Sequence, residues 1–191
     1  ELKRRLAYST ISQISYILTA LFLFTQTAFT GALLHTVVHA AVKTCLFLTA
    51  GAIIFNTGKT RVDELKGIGK QMPITMWSFT LASIALIGIP PTGGFTSKWL
   101  IATSALDSAL PVFSWLIPVV LLVSALLTAG YLLPITIDAF FPGKDFPVVC
   151  KRIESPVMWA PIAILAAIAV LIGIFPTLLT DFASGIASLI A

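Results

Sequence analysis

The chain has 191 residues, 58% of them hydrophobic and only 10% charged, with a mean hydropathy of +1.00. Such a composition excludes a water-soluble globular domain of this size. The net charge of +4 does not point to nucleic acid, because the basic residues flank apolar stretches instead of forming a patch interleaved with aromatics.

The sequence starts at Glu1 without an initiator Met and without the basic, apolar and small-residue regions of a signal peptide. It is therefore expected to be the C-terminal part of a longer protein. Apolar segments recur at residues 7–29, 32–55, 74–105, 111–141 and 157–179. Each reaches the roughly 20 residues that a helix needs to cross about 30 Å of hydrocarbon, and none alternates like a barrel strand. The expected fold is one all-α transmembrane domain, a bundle of about five helices. The third and fourth segments exceed the minimum, so they must tilt, break or project beyond the hydrocarbon.

The polar links test that count, because basic residues favour the cytoplasmic side and should appear in alternate links. Lys3, Arg4 and Arg5 precede the first segment; Lys59, Arg61, Lys66 and Lys70 follow the second; Lys144, Lys151 and Arg152 follow the fourth. Residues 25–31, 106–110 and the tail after Pro176 hold no Lys or Arg. Ten of the 12 basic residues thus share one side, which predicts a plasma (inner) membrane protein whose N-terminal end here faces the cytoplasm.

The third segment contains Ile89, Pro90, Pro91, Thr92, Gly93 and Gly94 in its middle. Two prolines lacking amide hydrogens, followed by two permissive glycines, cannot continue a helix. Broken backbone at membrane depth must be covered by protein or line a wet cavity. A discontinuous helix beside an ion path is one reading, and a packed proline kink the other. The stretch after Thr177 mixes Asp181, Ser184 and Ser188 with leucine and isoleucine, which suits either the outer interface or a partner surface.

Two basic residues have no link to occupy. Lys43 lies about twelve residues into the second segment, where a lysine costs about 2.5–3.5 kcal/mol even on the lenient insertion scale, unless water or a partner receives it. His39 and His35 precede it at steps of four residues. Each step turns about 400° and rises about 6 Å, so the three side chains form one stripe roughly 12 Å long. Groups with ordinary pKa values near 6.5 and 10.4, arranged in line, are what a proton relay requires. For either histidine alone, a helix–helix hydrogen bond would be explanation enough. Lys98 follows the Gly-Gly pair by four residues and is the second mid-membrane cation, unless it snorkels outward.

Ser9, Thr10, Ser12, Gln13, Ser15 and Tyr16 make the first segment polar at its inner end, either to hydrate a half-channel or to glue helices. Asp138 reads as an interfacial or capping residue, and Asp107 and Asp181 as solvated. Cys45 and Cys150 belong to different depths, so no disulfide is expected, and no metal-ligand spacing exists. No nucleophile–base pair, phosphate loop or haem motif is present, so no catalytic residue, cofactor or redox site is expected.

The run Leu2 to Gln13, the segment His35 to Gly51 with His39, Lys43, Leu46 and Phe47, and Gly88 to Lys98 with Pro90, Pro91, Gly93 and Gly94 together resemble the antiporter-like subunits of respiratory complex I. Their relatives include Mrp-type cation/proton antiporters and membrane-bound hydrogenases. The resemblance runs in order over about residues 2–100, and beyond that only the helix pattern agrees. It implies most of the second of two inverted five-helix repeats, each with a broken helix, plus C-terminal helices. It further implies that Lys43 is the central-axis lysine, His35 and His39 the histidines leading to it, and Lys98 the lysine of the broken helix. The first repeat, with its membrane glutamate and partner lysine, would lie before Glu1. The implied function is proton translocation within an energy-converting redox complex, beside other membrane subunits. The alternative is a sodium or potassium/proton antiporter.

Overall fold

The computed structural model describes residues 1–108, 111–143 and 154–189. Lys144, Cys150, Lys151 and Arg152, and the last residues of the 106–110 link, lie outside these. Among the described residues seven α-helices are present: α1 (Leu2–Leu21), α2 (Gln26–Thr57), α3 (Pro73–Ile87), α4 (Gly93–Leu106), α5 (Pro111–Phe140), α6 (Pro156–Ile174) and α7 (Thr177–Ala187). Two short 3-10 turns, Val62–Leu65 and Ile68–Lys70, occupy the basic link between α2 and α3.

The helix ends follow local chemistry. The Thr25 side chain accepts from the Ala28 amide at 3.2 Å and starts α2, which stops where Gly58 turns left-handed. Pro73 and Pro156 stand in the first turns of α3 and α6, where a missing amide hydrogen costs nothing. The turn between α1 and α2 falls at residues 22–25, at the leading edge of the expected 25–31 link, because the Thr25 cap starts α2 inside the apolar pattern. Likewise the expected 157–179 segment ends as a helix at Ile174, before Pro176, and a separate helix begins.

Three helices, α2, α5 and α6, are long and apolar enough to cross a bilayer by themselves. The other helices do not reach that measure on their own. α1 has 20 residues but carries three cations in its first turn and a polar run behind them. α3 and α4, with 15 and 14 residues, are each too short and are stacked across the break. Prolines 118, 134 and 161 lie inside α5 and α6 without ending them, as transmembrane helices tolerate when neighbours take up the freed carbonyls.

Long α2 is the axis of the bundle and touches α1, α3, α4, α6 and α7. α1 packs on it along one stripe, Leu2, Leu6, Ser9, Gln13, Tyr16 and Ala20, spaced three and four residues apart. α7 folds back along α2 through Ala183 and Ala187, and Gln26 Nε2 donates to Ser184 O at 3.4 Å. The tail therefore packs one edge on its own chain, while Leu178, Phe182 and Leu189 on its other face stay exposed. Outward faces of α5 and α6 expose Val112, Trp115, Leu122, Leu126, Ile164 and Leu171. Such a belt would be intolerable in water and fits lipid or neighbouring subunits.

The links gather at two ends. Leu2 N donates to Thr60 O at 3.0 Å, Arg5 Nη1 to Tyr131 O at 3.0 Å, Gly67 N to Asp138 O at 2.9 Å and Thr75 N to Glu154 Oε1 at 2.7 Å. These bonds bring the start of α1, the α2–α3 link, the end of α5 and the start of α6 to one end, with Lys3, Arg4, Arg5, Lys59, Arg61, Lys66 and Lys70. There the Arg61 guanidinium, hydrogen-bonded to Asp63, holds that carboxyl below its ordinary range. At the opposite end Thr25 and Ser104 share a hydroxyl hydrogen bond.

The break joins α3 to α4 at closest approach. Gly88 ends α3 at φ +90°, a conformation that favours glycine, and its amide donates to Ile84 O at 3.0 Å. A Cβ on Gly94 would fall inside the Ala85 carbonyl, a backbone group with nowhere to go. Gly94→Ala should therefore destabilise the protein by about 1–3 kcal/mol. Gly51→Ala, where nothing lies within 4 Å of the added carbon, should not. Thermal unfolding of the two variants in detergent checks this, and equal midpoints would refute the close approach.

Candidate proton-relay axis

Helix spacing aims the α2 stripe at α1 and α4. Lys43, only 6% exposed, donates from Nζ to Leu6 O at 2.8 Å and to the Ser9 hydroxyl. It does not snorkel, because α1 supplies the acceptors beside it. One turn away His39 is half-buried, and its Nε2 has no protein partner. A further turn on, His35 is 2% exposed and stacks over His39, with centroids 6.3 Å apart and planes 15° from parallel. The His35 Nδ1 pairs with Ser97 Oγ of α4 at 2.9 Å, while its Nε2 is buried and unpartnered.

That Ser97 bond joins the α2 stripe to the residue immediately before Lys98. Lys98 is 8% exposed and turns inward, donating from Nζ to Leu86 O at 2.8 Å and Ile87 O at 2.9 Å. These are carbonyls at the C-terminal end of α3, left without amide partners by the break. A cation there also meets the negative end of the helix dipole. The prolines and glycines of residues 90–94 thus create the acceptor pair that holds Lys98. Outward snorkelling of Lys98 is not observed.

Tyr16 fills the remaining gap. Its ring lies 5.8 Å from His35, edge-on at 72°, and 5.3 Å beneath the Lys98 ammonium. The Tyr16 hydroxyl is bonded to Ser124 of α5, and Ser12 Oγ lies 3.2 Å from Ser124 Oγ. In the sequence Tyr16 stands only within a polar run; its position every third or fourth residue from Ser9 and Gln13 was the available signal. The antiparallel pairing of Ser9 with Lys43 and Tyr16 with His35 puts Gln13 level with His39. Gln13 is fully buried, and neither its Nε2 nor its Oε1 has a protein partner.

Four unpartnered buried polar atoms, on Gln13, His35 and His39, therefore cluster around the middle of the stripe. Groups of this kind hold water when the cavity is polar. The 6.3 Å between imidazole centroids is too long for a direct ring-to-ring hydrogen bond and suits a bridging water. Of the polar run on α1, Thr10 and Ser15 instead bond back to Leu6 O and Ile11 O of their own helix. Asp107 and Asp181 are exposed at the far end and half-buried Asp138 lies at the basic end, all away from the axis. Cys45 is free and buried on α2.

Residues 1–128 match the family described as NADH:quinone oxidoreductase/Mrp antiporter, TM. The chain is 44% identical over 113 residues to the NADH-quinone oxidoreductase subunit N of Desulforudis audaxviator (strain MP104C), covering 59% of this chain and 23% of that protein. It is 40% identical over 105 residues to an Na(+)/H(+) antiporter subunit of Alkalihalophilus pseudofirmus, covering 55% of this chain and 21% of that protein. Among solved structures, a chain of the membrane-bound sulfane sulfur reductase, an archaeal respiratory membrane complex, superposes at a TM-score of 0.86. It is 29% identical, over 98% of this chain and 37% of that one. The chain thus spans under a quarter of the length of these two curated relatives.

Ser9→Ala should cost about 1.5–3 kcal/mol, because a buried ammonium loses one of its two acceptors. Thr10→Ala, which removes only a bond within its own helix, should stay within about 0.5 kcal/mol of the parent. Denaturant unfolding in mixed micelles compares them, and an equal loss for both would contradict the placement of Lys43.

Proposed function

This chain belongs to the NADH:quinone oxidoreductase/Mrp antiporter transmembrane family, and we propose that it relays protons for an energy-converting redox complex along the axis Lys43, His39, His35, Lys98. It is a membrane chain with relatives in multisubunit membrane complexes. On this reading it has no redox chemistry of its own, and neighbouring subunits drive the transfers electrostatically. The basic end faces the cytoplasm, as the positive-inside tendency requires, and the bilayer is the plasma membrane.

One observation carries the reading: the His35–Ser97 bond ties the α2 stripe that ends in buried Lys43 to the helix that carries buried Lys98. A lone intramembrane charge needs only a partner, but a line of titratable groups with unpartnered nitrogens offers successive landing places. Lys43 gives a proton to water at His39; the imidazoles hand it on through their two nitrogens; Ser97 and the space beside Tyr16 lead to Lys98. When Lys98 is neutral, Leu86 O and Ile87 O lose a charge-assisted donor. Its proton occupancy is thereby coupled to the geometry of the break.

The 40% identity to an Na(+)/H(+) antiporter subunit favours a second reading, in which a sodium or potassium gradient drives the same axis. In the full-length subunit within its assembly, Lys43→Met and Lys98→Met should each reduce proton uptake into vesicles tenfold or more. Dependence of uptake on an imposed sodium or potassium gradient would select the antiporter. Undiminished uptake in both variants would leave the lysines as structural ion partners and remove the relay.

A further inference from the structure

A cleft of about 550 Å³ opens between α1 and α5 at the basic end of the bundle. Its mouth is flanked by Glu1, Arg4 and Arg5, and its walls include Ser9, Ser12, Ser124, Thr128 and Tyr131. We propose that this cleft is a water-filled proton access path from the basic end of the bundle to Lys43, with Ser9 as its last protein group. The inference rests on the reading of Lys43 as a proton carrier and supplies the route that reading lacks.

Three observations converge. The first is depth. Arg5 is tied to Tyr131 O at 3.0 Å, and Ser9, one turn further along α1, accepts from Lys43. Four residues of helix rise only about 6 Å, so Lys43 is within one turn of the guanidinium level although it is far from either end of its own helix.

The second is chemistry. Hydroxyls line a wall that would otherwise be expected to be apolar at this position in a lipid-embedded bundle, and Tyr131 Oη is buried there without a protein partner. Ser9, Ser12, Ser124 and Thr128 already hydrogen-bond within the protein, but each hydroxyl oxygen keeps capacity for a further bond to water, and Tyr131 Oη has no other partner. At about 30 Å³ per molecule the space holds on the order of ten waters.

The third is continuity. Ser9 lines the cleft on one side and touches the ammonium on the other. As placed, its hydroxyl accepts from Lys43 and donates to Leu6 O at 2.8 Å. Once Lys43 has passed its proton on, the neutral amine carries a lone pair. The Ser9 hydroxyl rotates toward that lone pair, gives up its proton and takes another from the hydronium behind it, leaving water. No net charge accumulates on serine.

The path is tested on Leu127, a wall residue that is 66% exposed and makes no polar contact in the relay. Leu127→Cys is introduced in the full-length subunit within its assembly, reconstituted in vesicles, and treated with a membrane-impermeant anionic thiosulfonate from either face. Reaction above the background of the parent is expected from the basic face only, followed by at least a fivefold fall in proton uptake. Thr128→Cys on the same wall provides a second position should the first variant assemble poorly. Reaction with a lipid-soluble maleimide but not with the anionic reagent, labelling from the opposite face, or labelling without loss of uptake would each overturn the path. Lys43→Met separates the two ideas. If it abolishes uptake while the cysteines give a negative result, only the access path fails. If it leaves uptake intact, the carrier reading fails with it.

Discussion

An ammonium group inside an apolar bundle persists only where acceptors are fixed around it, and here the backbone provides them. Lys98 is held by Leu86 O and Ile87 O, carbonyls that a continuous helix would have consumed. Lys43 is held by Leu6 O together with one serine hydroxyl. Among the described residues no carboxylate takes part in either site. Pairing with a carboxylate would bind the proton's charge tightly to one place, whereas neutral acceptors leave each lysine free to lose it without leaving an unpaired anion behind.

The break in the third crossing follows from the same constraint. Two prolines and Gly88 end α3 early, and Gly94 allows α4 to start almost in contact with the Ala85 carbonyl. On the other side Gly173 of α6 packs against the backbone of Pro91 and Thr92, where any side chain would collide. The two shoulders of the break, Leu86 and Ile87 on one side and Thr92 to Gly94 on the other, are therefore buried by protein, while Ile89, Pro90 and Pro91 between them stay exposed. Lys98 gives two hydrogen bonds to the freed backbone of Leu86 and Ile87 from one turn beyond Gly94, so the irregularity and the charge account for one another.

Around this centre one side of the molecule packs almost wholly through apolar groups, and the other mixes apolar with polar contacts. α2, α3 and α6 pack through Val42, Cys45, Met76, Phe79, Ala82, Ile162 and Ala166, all buried and apolar apart from one thiol. α1, α2, α4 and α5 share an apolar cluster of their own around Ala20, Ala28, Ala32, Ile101, Ala105 and Ile117, and beside it they meet through hydroxyls, imidazoles and an amide, several without protein partners.

Charge placement and periodicity were legible in the amino-acid order alone. Lys43, His39 and His35 share a stripe because the α-helix repeats every 3.6 residues, and the break at residues 88–94 is dictated by proline and glycine chemistry. The alternation of basic links likewise foretold which helix ends lie together, and the hydrogen bonds at Thr60, Tyr131 and Asp138 bear this out for the described links. Boundaries that depend on a single cap, such as Thr25, and the return of α7 onto α2 were not foreseeable from apolar pattern, since both lipid and protein accept the same residues. Only the tertiary structure decided that Ser97 meets His35, that Tyr16 lies beneath Lys98 and reaches Ser124, and that Ser9 stands between Lys43 and a cleft. Those contacts join residues 34 to 108 positions apart in the chain, where helix crossing and register, not local sequence, determine which side chains touch.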